Sequence, residues 1–235
     1  MPETPARSFD AVLFDKDGTL FDFAATWEAW ARSFLMRITG SDHDRATHIG
    51  DEIGFDMRNN RFHPGSTVIA GTPAEVAAEL APHLPGMTTA DVIDILNEEA
   101  QAAPQSEAVP LIPFLDGLRA AGLRLGVATN DAEAPAMAHL GAARVVDRFD
   151  FIAGFDSGHG AKPAPGQLLA FCRAVDVVPA RAVMVGDSTH DLIAGRAAGM
   201  ATVGVLTGMA GQADLAHLAD IVLPDIGYLP GWLGL

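Results

Sequence analysis

The stretch Phe14-Asp15-Lys16-Asp17-Gly18-Thr19 comes directly after the apolar run Ala11–Phe14. Continuous rather than alternating apolarity is typical of a strand that is buried on both faces, as in a parallel sheet. Two carboxylates two residues apart, followed by a turn glycine, could bind a hard cation through their oxygen atoms. An ordinary solvated Asp-Gly turn is the alternative interpretation of the same residues.

Similar apolar runs recur along the rest of the chain, at 125–128, 151–153, 182–185, 201–205 and, more weakly, 221–223. Helical patterns lie between them, at 114–121, 133–140, 167–175 and 191–198. Strands that alternate with helices predict an α/β fold with a doubly wound, Rossmann-like parallel sheet. In such sheets, ligands bind at the carboxyl ends of the strands.

One long segment interrupts this alternation, because no convincing buried strand occurs between about residues 21 and 103. Apolar residues recur there at helical spacing, and Thr72-Pro73-Ala74-Glu75 is a capping box that begins a helix. We therefore expect an inserted α-helical domain over residues 21–105. Residues 1–20 and 106–235 are expected to form the α/β core.

Polar side chains follow several of the predicted strands. Thr129 and Asn130 come after the second strand, Lys162 lies beyond the third, and Asp187 and Asp191 follow the fourth. Carboxylates gathered at one edge of a sheet repel one another unless cations lie among them. Thr129 has a simpler alternative role as the N-cap of the helix that follows it.

Composition excludes several classes of protein. The 235 residues carry 15 basic and 30 acidic side chains, for a formal net charge of −15, which argues against nucleic acid or an anionic membrane surface as a partner. A single cysteine rules out an internal disulfide. No run of about 18 apolar residues and no signal-peptide pattern at Met1 to Arg7 is present, so we expect a cytoplasmic protein.

Together and in this order, the motifs around Asp15, Thr129, Lys162 and Asp187 resemble those of the haloacid dehalogenase superfamily of hydrolases, and especially its phosphatase branch. The segment inserted after the first strand resembles the helical cap of that family. The resemblance covers residues 8–20 and about 110–225. It implies an enzyme that hydrolyses a small phosphorylated metabolite and acts as a monomer or homodimer.

The resemblance also implies a role for each motif residue. Asp15 would be the nucleophile that forms an aspartyl phosphate, and Asp17 the general acid and base. Thr129 and Asn130 would bind the phosphoryl oxygens, with Thr129 counted among the catalytic residues, and Lys162 would neutralise the developing charge.

A magnesium ion is the cofactor that the resemblance implies. Asp15, Asp17 (through its backbone carbonyl), Asp187 and Asp191 would hold the Mg²⁺, Asp191 either directly or through water.

Three features depart from the family pattern. Lys16 replaces an apolar residue between the two aspartates, Asp131 stands where phosphoglycolate phosphatases commonly have lysine, and Gly166-Gln167-Leu168 follows the Lys-Pro motif. Lys16 could point toward the inserted segment or into solvent. These departures affect the expected substrate more than the expected chemistry.

Several activities share this scaffold. The second aspartate, Asp17, argues against a dehalogenase, and the absence of lysine from 21–105 excludes a Schiff-base phosphonate hydrolase. A phosphatase acting on 2-phosphoglycolate is the preferred interpretation. A sugar-phosphate phosphatase, a phosphomutase and a non-catalytic binding module remain alternatives.

The inserted segment is expected to select the substrate. Arg58 and Arg61 lie in its most basic stretch and are our candidates for binding a second anionic or hydroxyl group of the substrate, although a solvated helix end or loop is the more ordinary role for such residues. Trp27 lies on the apolar helical stripe and Trp30 does not, so core packing is expected for Trp27 and left open for Trp30.

Overall fold

The computed structural model describes residues 9–235. Residues 1–8, on which the signal-peptide expectation and the start of the proposed core depend, lie outside the described part. Six parallel strands form the central sheet: β1 (Ala11–Phe14), β4 (Arg124–Ala128), β5 (Phe151–Ala153), β6 (Ala182–Gly186), β7 (Ala201–Val205) and β8 (Ile221–Leu223). Their order across the sheet is β5-β4-β1-β6-β7-β8.

Helices cover both faces of this sheet, which confirms the doubly wound α/β prediction. The core helices are α5 (Leu111–Ala120), α6 (Glu133–Ala142), α7 (Gly166–Ala174), α8 (Thr189–Ala198), α9 (Gln212–Leu215) and α10 (Leu229–Leu233). Alternate residues of β1 face opposite layers. Val12 packs in a cluster with Leu115 of α5, whereas Leu13 packs in a cluster with Phe171 of α7. Burial on both faces explains why the strand is apolar throughout.

The segment that follows β1 is helical and has a hydrophobic core of its own. Its helices are α1 (Phe23–Ile38), α2 (His43–Glu52), α3 (Pro73–Leu80) and α4 (Thr89–Ala102). The predicted capping box begins α3, where Glu75 accepts a hydrogen bond from the Thr72 backbone N–H at 2.7 Å. Within residues 9–235, no helix combines the length and the apolarity needed to cross a membrane.

The sequence patterns did not indicate one feature of this segment, a short pair of strands. The strands β2 (Phe55–Asp56) and β3 (Arg61–Phe62) pair as an antiparallel hairpin. Each has only two residues, which is too short to show an alternating pattern in the sequence. The Phe55 and Phe62 rings pack together at 4.8 Å.

The chain passes between the sheet and the helical segment at two neighbouring points. Phe21 packs in the same cluster as the sheet residues, and the Asp22 backbone N–H donates to the Ser106 carbonyl at 2.8 Å. The two crossings therefore lie side by side. This arrangement is compatible with the proposed extent of the inserted domain, residues 21–105.

Candidate active site

Strand register brings the candidate residues to one edge of the sheet. Phe14 of β1 is paired with Val127 of β4 and Val185 of β6, so the residues that follow these strands emerge together. Asp15, Thr129 and Asp187 all line a single cavity at that edge. The loop between β5 and α7 adds Lys162 to the same cavity.

Lys162 is the centre of the charged floor of this cavity. Its Nζ atom lies 2.6 Å from Asp15 Oδ1 and 2.6 Å from Asp191 Oδ1, and it also donates to the Ala128 carbonyl oxygen at 2.8 Å. Burial alone would lower the pKa of Lys162, but the two carboxylates outweigh it and raise this pKa above its usual value. The side chain is therefore a fixed ammonium.

Three carboxylates on the floor lie close enough to share a cation. Oxygen atoms of Asp15, Asp187 and Asp191 lie within 4.8 Å of one another, and all three residues are buried. Gly18 has a φ of +76°, and a Cβ there would collide with the Asp187 carboxylate. The turn glycine of the first motif thus leaves room for an acidic group of the fourth. These hard oxygen donors fit a divalent cation such as Mg²⁺.

The protonation of these groups reflects their crowding. Burial, which the neighbouring Asp191 and Asp17 reinforce and Lys162 opposes, raises the pKa of Asp15 to about 7. Burial and the charges of Asp15 and Asp191 raise the pKa of Asp187 well above its usual value. A bound divalent cation would favour the ionised form of both groups.

Asp191 has two structural roles besides its place in this cluster. Its Oδ2 atom accepts hydrogen bonds from the Ser188 backbone N–H at 3.0 Å and from the Ser188 hydroxyl at 2.7 Å, which stabilises the start of α8. Its Oδ1 atom holds Lys162. Helix capping and the ion pair together fix the orientation of this carboxylate.

Asn130 ties together the two loops beside the floor. Its Nδ2 donates to the Lys162 carbonyl at 2.8 Å and its Oδ1 accepts from the Lys162 backbone N–H at 2.8 Å. Thr129 is not the N-cap of α6, since that position belongs to Ala132. The Thr129 hydroxyl instead accepts a hydrogen bond from the Asp131 backbone N–H at 3.0 Å. Thr129 also lines the cavity.

Lys16 is completely buried, so the solvent alternative for it was wrong. Its Nζ atom lies 2.7 Å from Asp17 Oδ2 and 3.2 Å from Asp131 Oδ2, and it sits 5.6 Å from the centre of the Trp27 ring. The Asp17 side chain therefore contacts Lys16. Among the described side chains, the cluster that could hold a metal in this cavity consists of Asp15, Asp187 and Asp191, and it does not include the Asp17 carboxylate. The expected contact between the metal and the Asp17 backbone carbonyl stays a proposal.

His139, on α6, completes this second cluster, although no local pattern around it indicated such a role. Its Nδ1 lies 2.9 Å from Lys16 Nζ, and its Nε2 lies 2.6 Å from the Ala100 carbonyl of α4. Because a carbonyl and an ammonium impose opposite roles on the two ring nitrogens, Nε2 carries the proton and Nδ1 accepts. Burial and the Lys16 charge lower the pKa of His139 to about 4, so the ring is neutral near pH 7.

The structure does not bring Arg58 and Arg61 to the cavity. Both are exposed, in and beside the turn that joins β2 to β3, and neither lines the cavity. Asp56 accepts from the backbone N–H groups of Arg58 and Asn59, at 2.9 and 3.0 Å. The local turn therefore accounts for this stretch, and its basic composition does not mark a contact with the cavity.

Aromatic and aliphatic side chains of the helical segment form the opposite wall. Trp30 is buried like Trp27, stacks on Phe34 at 5.4 Å and donates from Nε1 to the Leu96 carbonyl at 3.2 Å. Trp27 packs edge-on against Trp30 at 5.0 Å. Both tryptophans line the cavity, so core packing and cavity lining are the same role for them.

Known proteins resemble this chain in sequence. The family model of haloacid dehalogenase-like hydrolases matches residues 9–199. A phosphoglycolate phosphatase from Neisseria meningitidis is 39% identical over 225 residues, which cover 94% of this chain and 90% of that protein. Another from Nitrosospira multiformis is 38% identical over 113 residues, which cover 48% of this chain and only half of that relative.

The fold also has a solved counterpart. CbbY from Rhodobacter sphaeroides, in complex with phosphate, superposes with a TM-score of 0.70 at 23% identity, over 97% of this chain and all of that one. The sequence and fold comparisons agree, and they confirm the resemblance on which the motif assignments depend. The chain belongs to the haloacid dehalogenase-like hydrolases.

Proposed function

We propose that the protein is a Mg²⁺-dependent phosphatase that hydrolyses a small phosphomonoester through an aspartyl phosphate on Asp15. The observation that carries this proposal is the floor of the cavity, where Lys162 Nζ lies 2.6 Å from both Asp15 and Asp191 beside Asp187. Phosphoryl transfer depends mainly on positioning and charge compensation, and this floor offers a fixed ammonium and a set of hard oxygen donors.

Asp15, Asp187 and Asp191 are the side chains that would hold the ion. The Mg²⁺ would supply positive charge against the phosphoryl oxygens. Burial of all three carboxylates supports this role, since buried like charges are costly without a cation among them.

In the first step, a carboxylate oxygen of Asp15 forms a bond to phosphorus, and the bond from phosphorus to the alcohol oxygen breaks. Asp17, which lines the same cavity, gives its proton to the departing alkoxide. In the second step, Asp17 takes a proton from water as the water oxygen attacks phosphorus. The bond between phosphorus and Asp15 then breaks, and inorganic phosphate leaves. Lys162 holds Asp15 in place and balances charge in both steps.

The names of the relatives make 2-phosphoglycolate the first substrate to assay. Sugar phosphates, the alternative that the sequence leaves open, come second.

Phosphate release with and without Mg²⁺, over a panel of small phosphoesters, tests the proposal. Asp15→Asn is the matched inactive variant, and Asp147→Asn is the control, because Asp147 is 83% exposed and its change removes the same charge. We expect Mg²⁺-dependent release that Asp147→Asn retains and Asp15→Asn loses by at least about a thousandfold. Equal release from Asp15→Asn, or no release from any ester, would contradict the proposal.

A further inference from the structure

The cavity has two chemically opposite sides. Its floor carries the carboxylates and Lys162, whereas the helical segment lines it with apolar side chains: Phe23, Trp27, Val68, Ile69, Val76 and Leu96. Among the described residues that line the cavity, Lys162 is the only lysine or arginine and His190, on α8 of the core, is the only histidine, so neither belongs to the helical segment. The side that would meet the alcohol portion of a substrate is therefore uncharged and largely hydrocarbon.

The positive charge of the floor is already matched. Lys162 is shared between Asp15 and Asp191, each at 2.6 Å. Lys16 does not line the cavity, and it is held by Asp17 and Asp131. A phosphoryl group and a divalent ion would complete the charge balance of the floor. No lysine or arginine of residues 9–235 then lines the cavity to meet a second anionic group of the substrate.

The apolar wall is built before any ligand arrives. Trp30 is fixed by its hydrogen bond to Leu96 and by its stacking on Phe34, and Trp27 packs on Trp30. Two neutral polar atoms on cavity-lining residues, Trp27 Nε1 and Asn97 Oδ1, have no hydrogen-bond partner within the described chain. An indole N–H and an amide oxygen can satisfy a hydrogen bond, but they cannot neutralise a carboxylate.

We propose, on the basis of the phosphatase function above, that the natural substrate is a phosphomonoester whose alcohol portion is uncharged and apolar. A carboxylate moved from water to such a wall without a partner loses its hydration, whereas an apolar group gains free energy by leaving water there. A phosphoester with a carboxylate in its alcohol portion, such as 2-phosphoglycolate, is the wrong class for this wall.

The direct test compares two esters that differ only in a remote charge. Benzyl phosphate and 4-carboxybenzyl phosphate have nearly the same leaving alcohol, so a difference in kcat/KM reports on the wall and not on the bond that breaks. For the wild-type enzyme with Mg²⁺, we expect kcat/KM for benzyl phosphate to exceed that for 4-carboxybenzyl phosphate and 2-phosphoglycolate by at least about tenfold. Equal or higher kcat/KM for either carboxylate would overturn the inference.

A lysine placed in the wall sharpens the comparison. Val68 is half-buried and lines the cavity, so Val68→Lys should narrow the preference for benzyl phosphate over its carboxylate. The control is Val178→Lys, since Val178 is 61% exposed and does not line the cavity. The same narrowing in both variants would contradict the role of the wall.

Binding gives a readout that does not need turnover. Trp27 and Trp30 are in the wall, whereas the third tryptophan, Trp232, stacks on Phe9 in the α/β core. In the Asp15→Asn protein with Mg²⁺, benzyl phosphate should change the tryptophan emission at lower concentration than 4-carboxybenzyl phosphate does. If no ester is hydrolysed, the phosphatase proposal fails, and this titration still decides the inference: equal or tighter binding of the carboxylate would contradict it.

Discussion

The two lysines of the chain make similar contacts in two neighbouring regions, but those regions differ in access. Lys16 and Lys162 are each buried and each held by a pair of aspartates. Lys162 lines the cavity, so a ligand can reach its ammonium. Lys16 lies behind the cavity surface, where the His139 ring contacts it.

This difference in access predicts separate roles for the Lys162 cluster, with Asp15, Asp187 and Asp191, and the Lys16 cluster, with Asp17, Asp131 and His139. The Lys162 cluster contains the three carboxylates suited to a cation, so its charge balance changes when ligands bind. The Lys16 cluster joins the first motif to α6 and, through the His139 contact with the Ala100 carbonyl, to α4 of the inserted segment. We expect Lys162 to matter most for turnover and Lys16 most for stability.

Replacing Lys16 should have the largest effect on stability. Lys16→Met leaves Asp17 and Asp131 without their cation, and we expect the free energy of unfolding to fall by about 3–5 kcal/mol. Urea denaturation measures this change. Arg124→Met is the control, because Arg124 is 58% exposed and loses only a surface ion pair. A loss no greater than that of the control would show that the Lys16 cluster does not stabilise the fold.

Of the two lysines, Lys162 should have the larger effect on catalysis. Lys162→Met removes the ammonium that lies against Asp15, so kcat should fall by about 10²–10³-fold. Steady-state phosphate release, at protein concentrations corrected for the folded fraction, separates this effect from instability. If Lys16→Met lowered kcat as much as Lys162→Met, the two clusters would not have separate roles in stability and turnover.

Adding magnesium should stabilise the Lys162 cluster selectively. At a concentration a hundred times its Kd, Mg²⁺ should raise the free energy of unfolding by about 2.7 kcal/mol. Thermal unfolding with and without Mg²⁺ measures the gain. Asp187→Asn should remove the gain because Asp187 belongs to the cluster, and the exposed Asp147→Asn should retain it. An equal gain in both variants would place the bound ion elsewhere.

A smaller effect should come from the pH dependence of the Lys16 cluster. The pKa of His139 is about 4 in the folded protein and about 6.5 in an unfolded chain, so the unfolded chain binds more protons between these values. This contribution to stability is present at pH 7 and is lost as the pH falls toward 4. Between pH 7 and pH 5, the free energy of unfolding should therefore fall by about 2 kcal/mol less in His139→Gln than in the wild type.

Urea denaturation of both proteins at the two pH values tests this prediction. The raised pKa values of Asp15 and Asp131 change the free energy of unfolding with pH in the opposite direction. Because both proteins contain these carboxylates, their contribution cancels when the wild type is compared with His139→Gln. Identical pH dependence in the two proteins would mean that His139 does not titrate as its burial implies.

The positions of the strands in the sequence could be predicted because burial on both faces leaves a local pattern. A strand covered on both faces is apolar throughout, and the polar residues that follow it mark the carboxyl edge. This reasoning located Asp15, Thr129 and Asp187, which the structure brings to one cavity. Parallel pairing adds the alignment of the strand ends.

The Lys16 cluster had no such signature. Lys16 and His139 are 123 residues apart, and nothing in either local sequence indicates that they meet. The available signals were the scarcity of lysine, which singles out Lys16, and the unusual Asp131. Pairing Lys16 with Asp131 as opposite charges would have found half of the cluster. Arg58 and Arg61 show the reverse problem, since a basic stretch shows polarity but not the direction in which a hairpin turn points.

The central claim is that Asp15 carries the phosphoryl group, and trapping that group tests it most directly. In Asp17→Asn, 4-nitrophenyl phosphate, whose leaving group needs no proton, should still phosphorylate the enzyme, while loss of the general base slows hydrolysis of the product. After an acid quench with ³²P-labelled substrate and Mg²⁺, we expect label on the peptide that contains Asp15, and none in Asp15→Asn. Turnover without label on that peptide, or label that persists in Asp15→Asn, would contradict the account.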